Sequence, residues 1–147
     1  KWLSDKKTEI ILPLLKHLKN YRTLTFCNSI EQTEQLGKYC INSKNKLSGE
    51  YLNMFNNKKI KHITSVNMLN EGCNLTDCKY GVFVAINSSE VMVTQKIGRI
   101  LRHKNPVIII PYYIHTREEE LVDKILETVS DDNVIVLKDF KKDGIQD

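Results

Sequence analysis

Tyr80-Gly81-Val82-Phe83-Val84-Ala85-Ile86 is a seven-residue run without a charged side chain. A strand with one wet face alternates apolar and polar residues. A run that does not alternate belongs in a sheet covered on both faces, and such sheets are built from parallel strands. Val107 to Ile114 repeats the pattern, with Pro111 inside it. Upstream, Arg22-Thr-Leu-Thr-Phe-Cys27 and His62-Ile-Thr-Ser-Val66 are rich in β-formers. A short strand is expected at Cys40-Ile41 and a last one at Asn133 to Leu137.

Helical patterns fill the gaps. Thr8 to Lys19 carries Ile10, Ile11, Leu14, Leu15 and Leu18 on one side, and Pro13 within it predicts a start or a kink at that point. Ser29 with Gln32 three residues on is a capping box, opening a helix that runs to about Tyr39. Ser43 to Gly49 is a polar loop, and Ser48 is expected to cap a short helix through Phe55. Leu69 to Lys79 is loop-like. Ser88-Ser89 opens a helix reaching about Arg102, which Asn105-Pro106 ends. Thr116 with Glu119 is a second capping box, and Glu118 to Glu120 sit where the helix dipole favours anions; that helix runs to about Val129. Lys138 to Asp147 is a polar tail. Strand–helix alternation of this kind predicts an α/β fold in three layers, a mostly parallel sheet with helices on both faces. Such sheets take ligands at the carboxyl ends of their strands, here the loops after Cys27, Val66, Ile86 and Ile114.

Length and composition agree. The 147 residues suit one domain large enough to bury a core without metal or disulfide staples, and 41% hydrophobic content excludes a disordered chain. No apolar run approaches the ~20 residues of a membrane span, and no signal peptide is expected. The chain opens Lys1-Trp2-Leu3 without an initiator Met and is expected to be a piece of something longer. Its charge is uneven: residues 1–116 carry a net +9 and residues 117–147 a net −5, a basic body that suits a polyanionic partner. Cys27, Cys40, Cys73 and Cys78 form no CxxC pair, so no metal site is expected; free thiols point to a reducing, cytoplasmic compartment. The four histidines offer no catalytic geometry.

Gln95-Lys96-Ile97-Gly98-Arg99-Ile100-Leu101-Arg102 carries the most chemistry. At about 100° per residue, Gln95, Gly98, Arg99 and Arg102 share one face of roughly 100° while Ile97, Ile100 and Leu101 take the other. Gly98 costs about 1 kcal/mol in a helix interior and suits a close approach to the backbone. Two guanidiniums on one edge fit a phosphoryl group. Only four of the 22 basic residues besides His are Arg, and two of them lie here. Asn67-Met-Leu-Asn-Glu-Gly72-Cys-Asn74-Leu75 is a turn-forming segment between strands, in which Gly72 permits close approach and Asn74 offers an amide. Asn28 and Ser29 open a helix whose free N–H groups suit an anion.

Taken in order, these segments resemble the second RecA-like domain of superfamily 2 helicases and translocases, a P-loop NTPase-type fold. Thr25-Phe-Cys-Asn-Ser-Ile-Glu-Gln resembles motif IV, Asn67 to Leu75 motif V, and Gln95 to Arg102 motif VI, whose pattern is Gln-x-x-Gly-Arg-x-x-Arg. Leu69-x-Glu71-Gly72 and the Thr116-Arg-Glu-Glu-Glu stretch look most like the restriction-translocase and excision-repair branch. Asn74 stands where the family usually has Asp, and Lys96 where Arg is common.

The resemblance implies that Arg99 and Arg102 are arginine fingers, that Gln95 senses nucleotide or water, and that Gly72, Asn74 and Gly98 line the nucleotide. It implies that Asn28, Ser29, Thr64 and Ser65 touch the nucleic-acid backbone. Neither Gly-x-x-x-x-Gly-Lys-Ser/Thr nor an Asp-Glu acidic motif is present; the family keeps these in its first RecA-like domain. The whole of residues 1–147 is therefore expected to be the C-terminal half of a DNA or RNA motor. ATP and Mg²⁺ would be shared with an N-terminal RecA-like domain, and this half alone would bind neither and be inactive. The competing expectation is a non-catalytic nucleic-acid- or protein-binding module on the same fold.

Overall fold

β1 (Thr23–Cys27) is buried along its whole length. A strand so enclosed needs a hydrogen-bonded neighbour on each edge and a layer on each face. β3 (His62–Val66) lies on one edge, with Leu24 beside Ile63 and Phe26 beside Ser65. β4 (Tyr80–Phe83) lies on the other, with Leu24 beside Gly81 and Phe26 beside Phe83. β2 (Cys40–Ile41) pairs with β3, and β5 (Val107–Ile109) with β4. The sheet of the described residues is thus parallel throughout, in the order β2-β3-β1-β4-β5. The computed structural model describes residues 2–66, 75–84 and 101–127.

Parallel register sends laterally paired residues to one face, and the two faces collect different helices. Leu24, Phe26, Ile63 and Phe83 share one core with Phe55 of α3 (Ser48–Asn56), Leu75 and Leu101. The Phe26 and Phe83 rings stack there at 4.7 Å between centroids. On the opposite face Cys27, Val82 and Val84 pack with Ile11, Leu15 and Leu18 of α1 (Trp2–His17) and Leu36 of α2 (Ile30–Leu36). Leu121 and Ile125 of α4 (Arg117–Leu126) pack against Ile110, just past β5. The result is the three-layer, RecA-like α/β architecture that the sequence predicts.

The differences are local. α1 passes through Pro13 without a break, beginning earlier than the apolar pattern. The amide that Pro13 lacks would have bonded the carbonyl of Glu9, an exposed residue that water can serve. α2 stops at Leu36, before Tyr39. Gly37 is extended there, and a Cβ on it would stand 3.0 Å from Thr64 Cγ2, so the missing side chain lets the helix end close on β3. Ser48 does not cap α3. Its hydroxyl ties the preceding loop instead, accepting from the Asn42 amide at 3.0 Å and lying 2.8 Å from the Asn45 carbonyl. Thr116 holds the N-cap position of α4, but its hydroxyl donates backwards to the Tyr113 carbonyl at 2.6 Å. β5 ends at Ile109, two residues before Pro111, and Val107 and Ile108 are partly exposed as the outermost described strand allows. The strand expected at Asn133 to Leu137 lies outside the described residues.

Cys27, Cys40 and Cys78 are free and buried. Burial pushes the thiols of Cys27 and Cys78 up to about 12. Among the described residues no group of three His, Cys, Asp or Glu side chains is placed to hold a metal, and no helix is long and apolar enough to cross a membrane. A thiol raised from 9.0 to about 12 loses about a thousandfold in thiolate at pH 8. Iodoacetamide labelling followed by mass mapping should therefore find Cys27 and Cys78 at least that much slower in the native protein than in urea; comparable rates would mean that the two thiols are accessible and ionised.

Candidate functional site

The carboxyl end of β1 delivers Asn28, which is exposed, and Ser29, which caps α2. Ser29 Oγ accepts from the Gln32 amide at 3.1 Å. Gln32 returns the bond one residue further upstream than a standard capping box, its Oε1 accepting from the Asn28 amide at 3.1 Å. Two N–H groups at this helix start are thus already taken, while the side chains of Asn28 and Glu31 are exposed.

Lys7 occupies the same end and was not foreseen. It is 5% exposed. Its Nζ donates to the Val84 carbonyl at 2.8 Å, just beyond β4, and pairs with Glu118 in the first turn of α4. Glu118 also accepts from the Tyr113 amide at 3.3 Å. Burial lowers the Lys7 pKa, and the Glu118 carboxylate partly offsets that. A signal existed: Lys7 precedes Ile11 and Leu15 at four-residue spacing, so it lies on the apolar stripe of α1.

Thr64 and Ser65 are a correction. Each is 2% exposed, which leaves no surface for a phosphate to touch. The Thr64 hydroxyl donates to the Thr33 carbonyl at 3.3 Å and joins α2 to β3. Both residues sit inside a strand with a layer on each face, so they are packing residues.

Arg102 is exposed and follows the last helical residue, Leu101, with φ at 52°. The Leu101 carbonyl accepts from the amide of Cys78, two residues before β4 begins, at 2.9 Å. Arg102 therefore branches from the amino-terminal end of the sheet, about 15 Å along the strands from Asn28. Arg102 thus does not stand beside the carboxyl-end loops. A crossover must return the chain to the amino-terminal side before the next parallel strand starts, and Arg102, five residues ahead of β5, falls on that return. Gln95, Gly98, Arg99, Gly72 and Asn74 lie outside the described residues.

Around Arg102 the structure gathers groups that no sequence pattern links. His103 Nε2 stands 3.6 Å from Asp77 Oδ1, and Lys58 Nζ stands 3.7 Å from Asp77 Oδ2. Arg22 Nε donates to the carbonyls of Thr76 and Asp77, each at 3.1 Å, and its guanidinium lies 3.9 Å from the centre of the Phe55 ring. Only tertiary folding brings residues 22, 58, 77 and 103 together.

A parallel RecA-like sheet with a guanidinium on a crossover defines a class, and the comparisons with known proteins name the family. The sequence model described as Helicase conserved C-terminal domain matches residues 6–104. The chain belongs to that family. No curated protein matches it. Among solved structures it is similar to E. coli DEAD-box protein SrmB bound to regulator of ribonuclease activity A, at 16% identity and a TM-score of 0.66, covering 86% of this chain and 81% of that one. It is also similar to the Pyrococcus furiosus Hef helicase domain, at 22% identity and a TM-score of 0.57, covering 81% of this chain and 27% of that one. The yeast DEAD-box splicing factor Prp28 is similar at 16% identity and a TM-score of 0.63, covering 88% of this chain and 33% of that one. At these identities the likenesses establish the fold, and they do not single out the restriction and repair branch.

Removing the ammonium of Lys7 would take a donor from Glu118 Oε2 and from the Val84 carbonyl in a largely dry site. Lys7→Ala is expected to lower the unfolding free energy by about 2–4 kcal/mol in urea titrations. Lys7→Met, which refills the stem volume, should recover part of that; a loss under ~0.5 kcal/mol for Lys7→Ala would show that the pair contributes nothing net.

Proposed function

We propose that this domain is the C-terminal lobe of an ATP-dependent nucleic-acid translocase, and that it completes an ATP site whose phosphate loop and Mg²⁺ ligands belong to another lobe. The observation that carries the reading is the extent of the family match. It runs to residue 104 and so encloses Gln95-x-x-Gly98-Arg99-x-x-Arg102 in the order and spacing of the family's motif VI. The exposure of Arg102 supports its role as a finger. A guanidinium that reaches a γ-phosphate across an interface must leave its own domain. Arg99 acts beside it, Gln95 orients nucleotide or water, and Gly72, Asn74 and Gly98 lie along the nucleotide. Asn28 and Ser29 meet the nucleic-acid backbone at the carboxyl end of β1.

We take DNA as the substrate. Leu69-x-Glu71-Gly72 and Arg117-Glu-Glu-Glu120 support this through their resemblance to the restriction and repair branch. ATP turnover stimulated by duplex DNA and not by RNA of equal length is the expected result; the opposite preference would overturn the choice of substrate.

Fingers act on the transition state, where removing one is worth on the order of 10³–10⁵ in rate. Arg102→Ala in the full-length protein should remove ATP turnover to that extent while leaving ATP affinity within about threefold. Unchanged turnover would take Arg102 out of the mechanism, and a robust rate from this domain alone would contradict a shared site. Backbone contacts through phosphates release counterions, so affinity for nucleic acid should fall steeply between about 50 and 200 mM salt. A flat response, read by fluorescence anisotropy, would remove the electrostatic grip.

A further inference from the structure

Arg102 adopts a left-handed backbone, φ 52°, which costs a residue with a Cβ free energy unless its surroundings hold it there. Both flanks are held, and by adjacent residues. On the upstream side the Leu101 carbonyl accepts from the Cys78 amide at 2.9 Å. On the downstream side His103 faces Asp77 at 3.6 Å. The ring orientation is fixed as well. The Asn105 amide donates to His103 Nδ1 at 2.9 Å, so the neutral ring carries its proton on Nε2, the nitrogen that faces Asp77.

The turn that supplies both holds is itself fixed. Cys78 is fully buried, and Arg22 grips the carbonyls of Thr76 and Asp77. Asp77 has a left-handed backbone too, φ 51°, which turns its carboxylate out towards His103 and Lys58. The Asp77 side chain is 52% exposed, so the pair adds little to folding stability. What it adds is a second contact beside the Leu101–Cys78 hydrogen bond, made by the residue that follows Arg102.

We propose that Asp77 and His103 are positioning residues for Arg102, setting the angle at which the guanidinium leaves this domain. The inference rests on the finger role proposed above for Arg102. Asp77 also continues directly from the Asn67 to Leu75 segment that resembles motif V.

Asp77→Ala and His103→Ala in the full-length protein should each lower kcat about tenfold and leave KM for ATP within about twofold. Affinity for ADP with aluminium fluoride, a mimic of the transferring phosphoryl group, should fall by the same factor as kcat. The double variant should be no worse than either single one, and His103→Gln, which keeps a donor near the Nε2 position, should restore most of the rate. Thermal melting reports folding in each variant. If Arg102→Ala stops turnover while Asp77→Ala and His103→Ala leave kcat untouched, the positioning role is overturned and the finger stands. If Arg102→Ala itself has no effect, the underlying reading fails first. Additive losses, or a kcat loss matched by a lowered melting temperature and not rescued by Gln, would mean a merely structural pair and would also overturn the proposal.

Discussion

Burial of β1 on both faces and both edges is the constraint from which the rest of the architecture follows. Its neighbours β3 and β4 both run parallel to it, and a parallel neighbour is reached only by a connection that crosses over a face. The crossovers must then be amphipathic in the sense each face requires. α1 and α2 meet a face of Val82, Val84 and Cys27; α3 meets one of stacked phenylalanines. The two cores differ in shape, and this helps specify which helix covers which side.

The same constraint separates the domain into two chemical ends. At the carboxyl end, Lys7, Gln32, Ser29 and Glu118 satisfy one another and the nearby backbone, leaving Asn28 outward. At the amino end, Cys78 bonds Leu101 and Asp77 faces His103, the two residues that flank Arg102, while Arg22 binds the carbonyls of the same turn. A parallel sheet supplies two such ends by its polarity alone.

Much of this was readable in the chain. The bounds of β3 and the existence of β2 followed from composition and spacing, because short stretches of β-formers stand there between polar, turn-forming residues. The Ser29 cap was legible because its chemistry is contained within four residues. Ser48 and Thr116 misled for the same local reason: a hydroxyl at a helix start has several acceptors within reach, and in both cases a preceding carbonyl was the better partner. Thr64 and Ser65 were assigned to a surface because motif resemblance carries no information on depth. The Asp77–His103 contact was not legible at all, since it depends on a turn between β3 and β4 meeting a turn before β5.

The ion pair between residues 7 and 118 bears on where this domain physically ends. The stretch that the family model recognises stops at residue 104, yet the counter-charge for a buried lysine lies fourteen positions further on. A polypeptide trimmed to the recognised stretch would retain the cation and lose its carboxylate, along with the helix that shelters Ile110. Residues 7 and 118 thus tie α1 to α4 across the sheet's edge, and the two helices are expected to unravel as a single cooperative unit.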